Sequence, residues 1–99
     1  MIEIIKVLAK LEYPISREWR QGPFFSGYRP IFSFETSTKK NSGKIDLQGK
    51  DAFTQGDVGI VEITFIKGLL NDECFTAGEK FTFAENPYPV GKGQIIENM

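Results

Sequence analysis

The chain has 99 residues, which is enough for one domain with a single modest core. Its formal net charge of −1 excludes strong long-range attraction of the whole protein to nucleic acid. Its composition, 40% hydrophobic and 25% charged, is that of an ordinary globular protein. Nine Phe, ten Gly and five Pro are typical of sheets joined by tight turns, so the composition predicts an all-β domain.

The first predicted strand covers residues 2–13. Apolar residues alternate onto one face of it, namely Ile5, Val7, Ala9, Leu11 and Tyr13. A helix is the competing interpretation, but the β-branched residues and Pro14 at the end favour a strand. Residues 14–29 carry Pro and Gly too often for a long regular element, and we expect an extended loop with Trp19 directed inward.

The second and third strands are predicted on either side of a polar turn. Residues 30–37 alternate, with Phe32, Phe34 and Thr36 on one side and Ile31, Ser33 and Glu35 on the other. Residues 39–43 (KKNSG) predict a hairpin turn, and a short strand follows at 44–48.

The second half of the chain predicts three more strands. After a turn at 55–57, residues 58–67 form the most regular strand, with Val61, Ile63 and Phe65 toward the core. Residues 68–78 form a looser connection, residues 79–85 direct Phe81 and Phe83 inward, and residues 86–89 form a stiff turn before a last strand at 90–97. Six strands at this spacing predict a single all-β domain over residues 1–99, a six-stranded antiparallel barrel of Greek-key-like or meandering order.

Residues that carry catalysis are scarce. The chain has no His, which removes the commonest general base, and with one Cys a zinc site is not expected. Residues 90–93 (VGKG) lack the spacing of a phosphate-binding loop. Asp46 with Asp51, and Asp72 with Glu73, are better interpreted as solvated charges than as ligand pairs. We therefore expect no enzyme activity, no cofactor and no bound metal, which leaves binding as the function class.

The cellular setting follows from weaker signals. Cys74 is the only cysteine, so no intrachain disulfide forms, and a reduced, cytoplasmic location is expected. The first residues do not have the form of a signal peptide, and no apolar run approaches the ~20 residues of a membrane helix. The sequence predicts a soluble protein without a membrane partner.

Charge is divided unevenly along the chain. Residues 1–50 contain nine Lys and Arg against five Asp and Glu, whereas residues 51–99 contain three against eight. One face of the barrel becomes basic if the halves stay apart. If strands from the two halves interleave, which we favour, the charges mix.

Residues 20–34 (RQGPFFSGYRPIFSF) are the most distinctive stretch. They resemble the beginning of the third, C-terminal domain of elongation factor Tu, where the family has R-H-T-P-F-F-x-G-Y-R-P-Q-F-Y-F. Three later segments resemble the same domain in order and spacing: residues 55–57 (QGD), 78–83 (GEKFTF) and 90–95 (VGKGQI). The resemblance extends from about residue 3 to residue 97. It implies a six-stranded antiparallel barrel, in agreement with the periodicity, and no GTPase machinery or bound GTP.

In the full-length factor this domain helps to hold the T-stem of aminoacyl-tRNA and contacts protein partners. The resemblance places the tRNA-facing positions at Arg20, Gln21, Ile31, Ser42 and Glu85. Arg20 and Glu85 keep the family residue, whereas Gln21 replaces His and Ile31 replaces Gln. Arg29, Tyr88 and Lys92 complete the set of candidate binding residues.

Two hypotheses about binding follow. The first is a stand-alone protein-interaction domain linked to translation, favoured because Ile31 puts an apolar side chain where the family has an amide, beside Ile60, Ile66 and Tyr88 if the fold brings them together. The second is a residual tRNA- or RNA-binding domain, supported by a group of cations in the first half of the chain, namely Arg17, Arg20, Arg29, Lys39, Lys40 and Lys44. Pro23, Phe24, Phe25, Gly27 and Tyr28 are interpreted as scaffold, with the aromatic rings closing one end of the barrel.

Overall fold

A computed structural model of the chain describes residues 4–15, 22–36, 40–66, 75–85 and 88–98. Its six strands are β1 (Ile4–Glu12), β2 (Ile31–Phe34), β3 (Lys40–Asp46), β4 (Val58–Ile66), β5 (Lys80–Glu85) and β6 (Tyr88–Asn98). They close into an antiparallel barrel in the order β1-β4-β3-β2-β5-β6. Three consecutive strands, β2, β3 and β4, run side by side and β1 lies beside β4, which is a Greek-key order. The predicted all-β, six-stranded barrel is confirmed.

The barrel interior is filled mainly by phenylalanine. Phe32 is fully buried, and its ring centroid lies 5.0 Å from that of Phe65 and 5.4 Å from that of Phe81. Both contacts are edge-to-face, an arrangement that aromatic pairs favour. The predicted inward faces of β1, β4 and β5 are confirmed, because alternate residues of these strands are buried. The described part of the chain contains no helix of the length and apolar character needed to cross a membrane.

The segment before β2 closes one end of the barrel, but not in the way predicted. Phe24 is fully buried, forms an antiparallel bridge with Phe53 and stacks on Tyr28 at 4.7 Å between centroids. Phe25 is 57% exposed, so its assignment to the end plug was wrong. In extended chain, neighbouring side chains point to opposite sides, and only one of two consecutive Phe can enter the core. Trp19 lies outside the described residues.

Two predicted turns were placed wrongly. Residues 40–43 belong to β3 rather than to a turn, because Gly43 is buried inside the barrel. A Cβ added to Gly43 would lie 2.7 Å from Cε1 of Phe65, so a glycine is needed here to leave room for the Phe65 ring. At the other site, Tyr88 and Pro89 already pair with Glu85 and Ala84 as the first residues of β6. The remainder of that predicted turn, 86–87, lies outside the described residues.

The predicted turn at 55–57 is confirmed and is fixed by Asp57. One Asp57 carboxylate oxygen accepts hydrogen bonds from the Thr54 backbone amide (2.9 Å), the Thr54 hydroxyl (3.1 Å) and the Lys50 ammonium (3.0 Å). The Thr54 backbone hydrogen bond, followed by the one from Lys50, lowers the pKa of Asp57 below 3.8. Gly56 takes a positive φ of 91°, which a residue with a side chain would adopt only with strain.

Candidate functional site

The candidate interface is centred on the first residue of β2. Ile31 is directly opposite Ser42 on β3 and Ala84 on β5. Ser42 is exposed, and Ile31 and Ala84 are half-buried, so all three side chains lie on the outer side of the barrel. The barrel thus brings together two predicted binding residues, Ile31 and Ser42, that are eleven positions apart in sequence.

Two further predicted residues lie at the same end of the barrel. Glu85 and Tyr88 are directly opposite each other at the β5–β6 connection, one position beyond the Ala84–Pro89 pair. Tyr88 is 54% exposed and Glu85 is half-buried. Because Ala84 is the partner of Ile31, the Glu85–Tyr88 pair flanks the centre of the candidate interface.

A pair of cations borders this surface. The Pro30 carbonyl accepts from the Gly43 amide (3.3 Å) and the Tyr28 carbonyl accepts from the Ile45 amide (2.9 Å), so the chain before β2 continues the β2–β3 ladder. Arg29 therefore lies across from Lys44, and both are exposed. Like charges on facing residues destabilise a sheet, so this pair does not serve stability and suits an acidic ligand.

Exposed apolar side chains extend the surface on the other side of Ser42. Ile66 is the last residue of β4, next to the Phe65–Gly43 pair, and its carbonyl accepts from the Asn41 side-chain amide at 2.6 Å. Ile66 is in turn opposite Ile4 of β1, and the two are 54% and 60% exposed. We call Ile4, Ile66, Ser42, Ile31 and Ala84, which cross five neighbouring strands, the apolar row.

Ile60 does not belong to the apolar row. The sequence analysis placed it beside Ile31 on the condition that the fold brings the two together, and the fold does not. It lies six residues before Ile66 on β4, a separation of about 20 Å along a strand. Its partner on β1 is Lys10, and it is 58% exposed. Ile60 therefore serves as a control isoleucine outside the candidate interface, although it is more exposed than Ile31.

Lys92 is also separate from the other candidates. It lies on β6 opposite Thr82 of β5 and Glu12 of β1, and its ammonium is 3.5 Å from the Glu12 carboxylate. Arg20 and Gln21 lie outside the described residues, as do Arg17 and Lys39 of the predicted basic group. Within the described ranges, Arg29, Lys40 and Lys44 of that group lie on β3 or on the segment that continues β2.

Strand order decides how the charges are distributed. β1 lies between β4 and β6, so cations of the first half and acids of the second half meet there, as in the contact between Lys6 and Glu62 at 3.8 Å. β2 and β3 are neighbours, which keeps their cations together. Charges from the two halves of the chain therefore mix around β1, as we favoured, whereas the cations of β2 and β3 stay together.

Of the acidic side chains considered as ligands, Asp46 has a structural contact instead. An Asp46 oxygen accepts the Gln48 backbone amide at 2.8 Å and thus fixes its own turn. Among the described residues, no group of three or more His, Cys, Asp and Glu side chains is placed to hold a metal ion. Cys74, Asp72 and Glu73 lie outside the described residues.

Sequence reasoning missed the continuity of the apolar row and the positions of two lysines, Lys10 and Lys80, on either side of Gln94. Alternation in β1, β4 and β5 identifies which residues point outward, but the pairing register that aligns them is set by tertiary structure. A search of protein-family models found no match to the chain.

Proposed function

We propose that the chain is a non-catalytic protein-interaction domain, linked to translation by its resemblance to the third domain of elongation factor Tu, and that the apolar row is its docking surface. The observation that carries the proposal is the alignment of Ile31 with Ser42 on one side and Ala84 on the other. Exposed Ile66 and Ile4 prolong this alignment.

The chemistry of the surface supports a protein partner. The aliphatic side chains of the row, which lie on both sides of Ser42, offer area that a partner removes from water, at roughly 25 cal/mol per Å². Tyr88, half-exposed at one margin, is a residue type enriched at interfaces. Arg29 and Lys44 at the border favour a partner whose apolar contact area is flanked by carboxylates.

The test compares three versions of the domain immobilised on beads and exposed to a lysate of the source cells. Wild type and Ile60→Asp are expected to recover the same protein, and Ile31→Asp is expected to lose it, because a carboxylate at Ile31 would be desolvated in the interface. Circular dichroism confirms that both variants are folded. Equal recovery by Ile31→Asp, or recovery of RNA alone, would refute the proposal.

RNA binding is the second candidate, and the facing cations Arg29 and Lys44 are the observation that favours it. Contacts to backbone phosphates make affinity strongly dependent on salt. A filter-binding titration with total tRNA at two salt concentrations tests this function, with Arg29→Gln and Lys44→Gln expected to weaken binding and Lys6→Gln to leave it unchanged. Absence of salt-sensitive binding in the micromolar range would exclude it.

A further inference from the structure

A second surface lies where β1, β6 and β5 run side by side, away from the apolar row. It is a shallow depression of about 230 Å³. Its lining residues are Lys10, Glu12, Lys80, Lys92, Gly93 and Gln94. They come from three strands, of which β1 is far from β5 and β6 in sequence, and three of the six are lysines.

The register of the barrel explains why these lysines meet. Gln94 of β6 is directly opposite Lys10 on β1 and Lys80 on β5. Neighbouring strands are about 4.8 Å apart, so the backbones carrying Lys10 and Lys80 are separated by only about 10 Å. Lys92 lies two residues from Gln94 on β6, on the same outer side. Three flexible ammonium groups therefore surround one depression.

Gly93 lines the floor of the depression with its backbone atoms. A Cβ at this position would lie 2.5 Å from the Lys10 carbonyl oxygen and 2.7 Å from Cζ of Phe81. β6 therefore passes unusually close to β1 and to the core at this point. A side chain at Gly93 would point toward Phe81 and Leu11 in the core, so only backbone of this residue faces the depression, between the lysines of β1 and β5.

The charges of the depression are not balanced. Three lysines face one carboxylate, Glu12, which is 3.5 Å from Lys92. Neither Lys10 nor Lys80 has an ion-pair partner within the part of the chain that the structure describes. Exposed cations repel one another when they approach within the Debye length, about 8 Å at physiological salt and longer at low salt, and a bound anion would relieve that repulsion.

A second depression adjoins the first and shares Lys80, Lys92 and Gly93 with it. It contributes the hydroxyls of Ser33 and Thr82, which can donate to oxygens of an anion. Glu35 stands among its lining residues and opposes an anion there, so the favourable charge is concentrated on the Lys10, Lys80 and Lys92 side.

We propose that this depression, the lysine site, binds the phosphate groups of a small phosphorylated molecule such as a nucleoside diphosphate. Lysine ammonium groups bind phosphate as point charges without demanding one orientation. A single-stranded nucleic acid is disfavoured as the ligand, since such sites stack bases on exposed aromatic rings and none lines this first depression. The lysines also surround one point rather than following a backbone track.

The test is a titration of ¹⁵N-labelled protein with inorganic pyrophosphate and, separately, with ADP, followed by NMR. Saturable shifts confined to the amides around residues 10, 80 and 92–94 are expected, with a dissociation constant on the order of 1 mM for such exposed charges. If pyrophosphate alone binds, the phosphate groups are the part of the ligand that is recognised. If ADP binds more tightly than pyrophosphate, the nucleoside also contributes to binding. Shifts that do not saturate, or that spread over the barrel, would overturn the proposal.

Charge variants sharpen the test; the lysines that are changed are exposed, and Glu12 is half-buried. Lys10→Gln and Lys80→Gln are each expected to weaken binding about three- to tenfold, and Glu12→Gln to strengthen it about twofold, because a competing carboxylate is removed. Lys6→Gln, on the same face of β1, is the matched control. An equal effect of Lys6→Gln, or a stronger response to an RNA oligonucleotide than to ADP at equal phosphate concentration, would contradict the lysine site.

Discussion

Replacing Gly93 by Ala tests the close approach of β6 to β1. The added methyl carbon would meet the Lys10 carbonyl oxygen at 2.5 Å, Phe81 Cζ at 2.7 Å and Leu11 Cδ2 at 2.8 Å. Ordinary van der Waals contacts for a Cβ begin near 3.4 Å. The strands must therefore separate by nearly 1 Å, and the Phe81 and Leu11 side chains must also shift. The carbonyl belongs to the backbone of the facing strand, so it cannot simply rotate away.

The expected loss of stability has two parts. Overpacking of a filled core lowers the free energy of unfolding by about 1–3 kcal/mol. Widening of the β1–β6 ladder weakens adjacent hydrogen bonds, each with a net contribution of about 0.5–1.5 kcal/mol. Together they give roughly 2–4 kcal/mol out of the 5–15 kcal/mol that is typical of a small domain. Without a clash, Gly93→Ala would instead raise the free energy of unfolding, because Ala is preferred to Gly inside a strand by about 0.5–1 kcal/mol.

Equilibrium unfolding in urea measures the effect. With an m-value of about 1–3 kcal/mol per molar urea, Gly93→Ala should lower the midpoint by about 1–3 M without changing m. Gly22→Ala is the control, because a Cβ at Gly22 meets nothing within 4 Å, and its midpoint should stay close to that of wild type. A Gly93→Ala protein as stable as wild type, or more stable, would refute the close approach of the strands.

Three further changes test the turn, a buried carboxylate and the core. Asp57→Asn should destabilise the fold at neutral pH. The difference in stability between wild type and variant should disappear as pH falls through the lowered pKa of Asp57, because the carboxylate of the folded wild type is then protonated as well. Urea midpoints from pH 7 to 2 measure this difference, and a difference that does not change with pH would contradict the prediction. Glu79→Ala should cost about 1–3 kcal/mol, because it removes the acceptor of the Thr36 amide and hydroxyl, both at 3.0 Å; a Thr36→Ala background should reduce that loss in a double-mutant cycle. Phe32→Ala should cost about 3–5 kcal/mol by calorimetry, since the ring is fully buried among aromatic neighbours, and a loss below 1 kcal/mol would contradict its central position.

Much of the fold could be predicted because local patterning and burial agree. In β4, Val61, Ile63 and Phe65 alternate with outward residues, and the strand extends from Val58 to Ile66, almost as predicted. The inward Phe81 and Phe83 of β5 follow the same rule. Period-2 alternation is decisive where one face of a strand is core and the other is solvent.

The errors arose where burial by tertiary contacts overrides local preference. Polar residues and a glycine at 40–43 have the composition of a turn, but Gly43 is in β3 because Phe65 occupies the space above it. In β6, Phe83 pairs with Gly91 and Ala84 with Pro89, which leaves Val90 as an extra, buried residue. Such a bulge breaks the alternation; Pro89 and Gly91, on either side of Val90, are residue types that often mark a bulge, but they do not give its register.

The bulge at Val90 also bears on how the two candidate surfaces are related. On one side of it, Lys92 and Gln94 keep the regular outward phase, which places Gln94 opposite Lys10 and Lys80 and places Lys92 opposite Glu12 and Thr82. On the other side, the phase shifts by one residue, so that Pro89 rather than Val90 becomes the partner of Ala84 beside the apolar row. A closed barrel has no free strand edges, so partners must bind its outer rows or its ends. Each row combines strands that are distant in sequence, and a shift of one residue would dismantle it. We infer that binding at the apolar row and at the lysine site depends on register. Deletion of Val90 removes only the extra residue of the bulge, so the Ala84–Pro89 and Lys80–Gln94 pairs should both be retained, and binding at both surfaces with them.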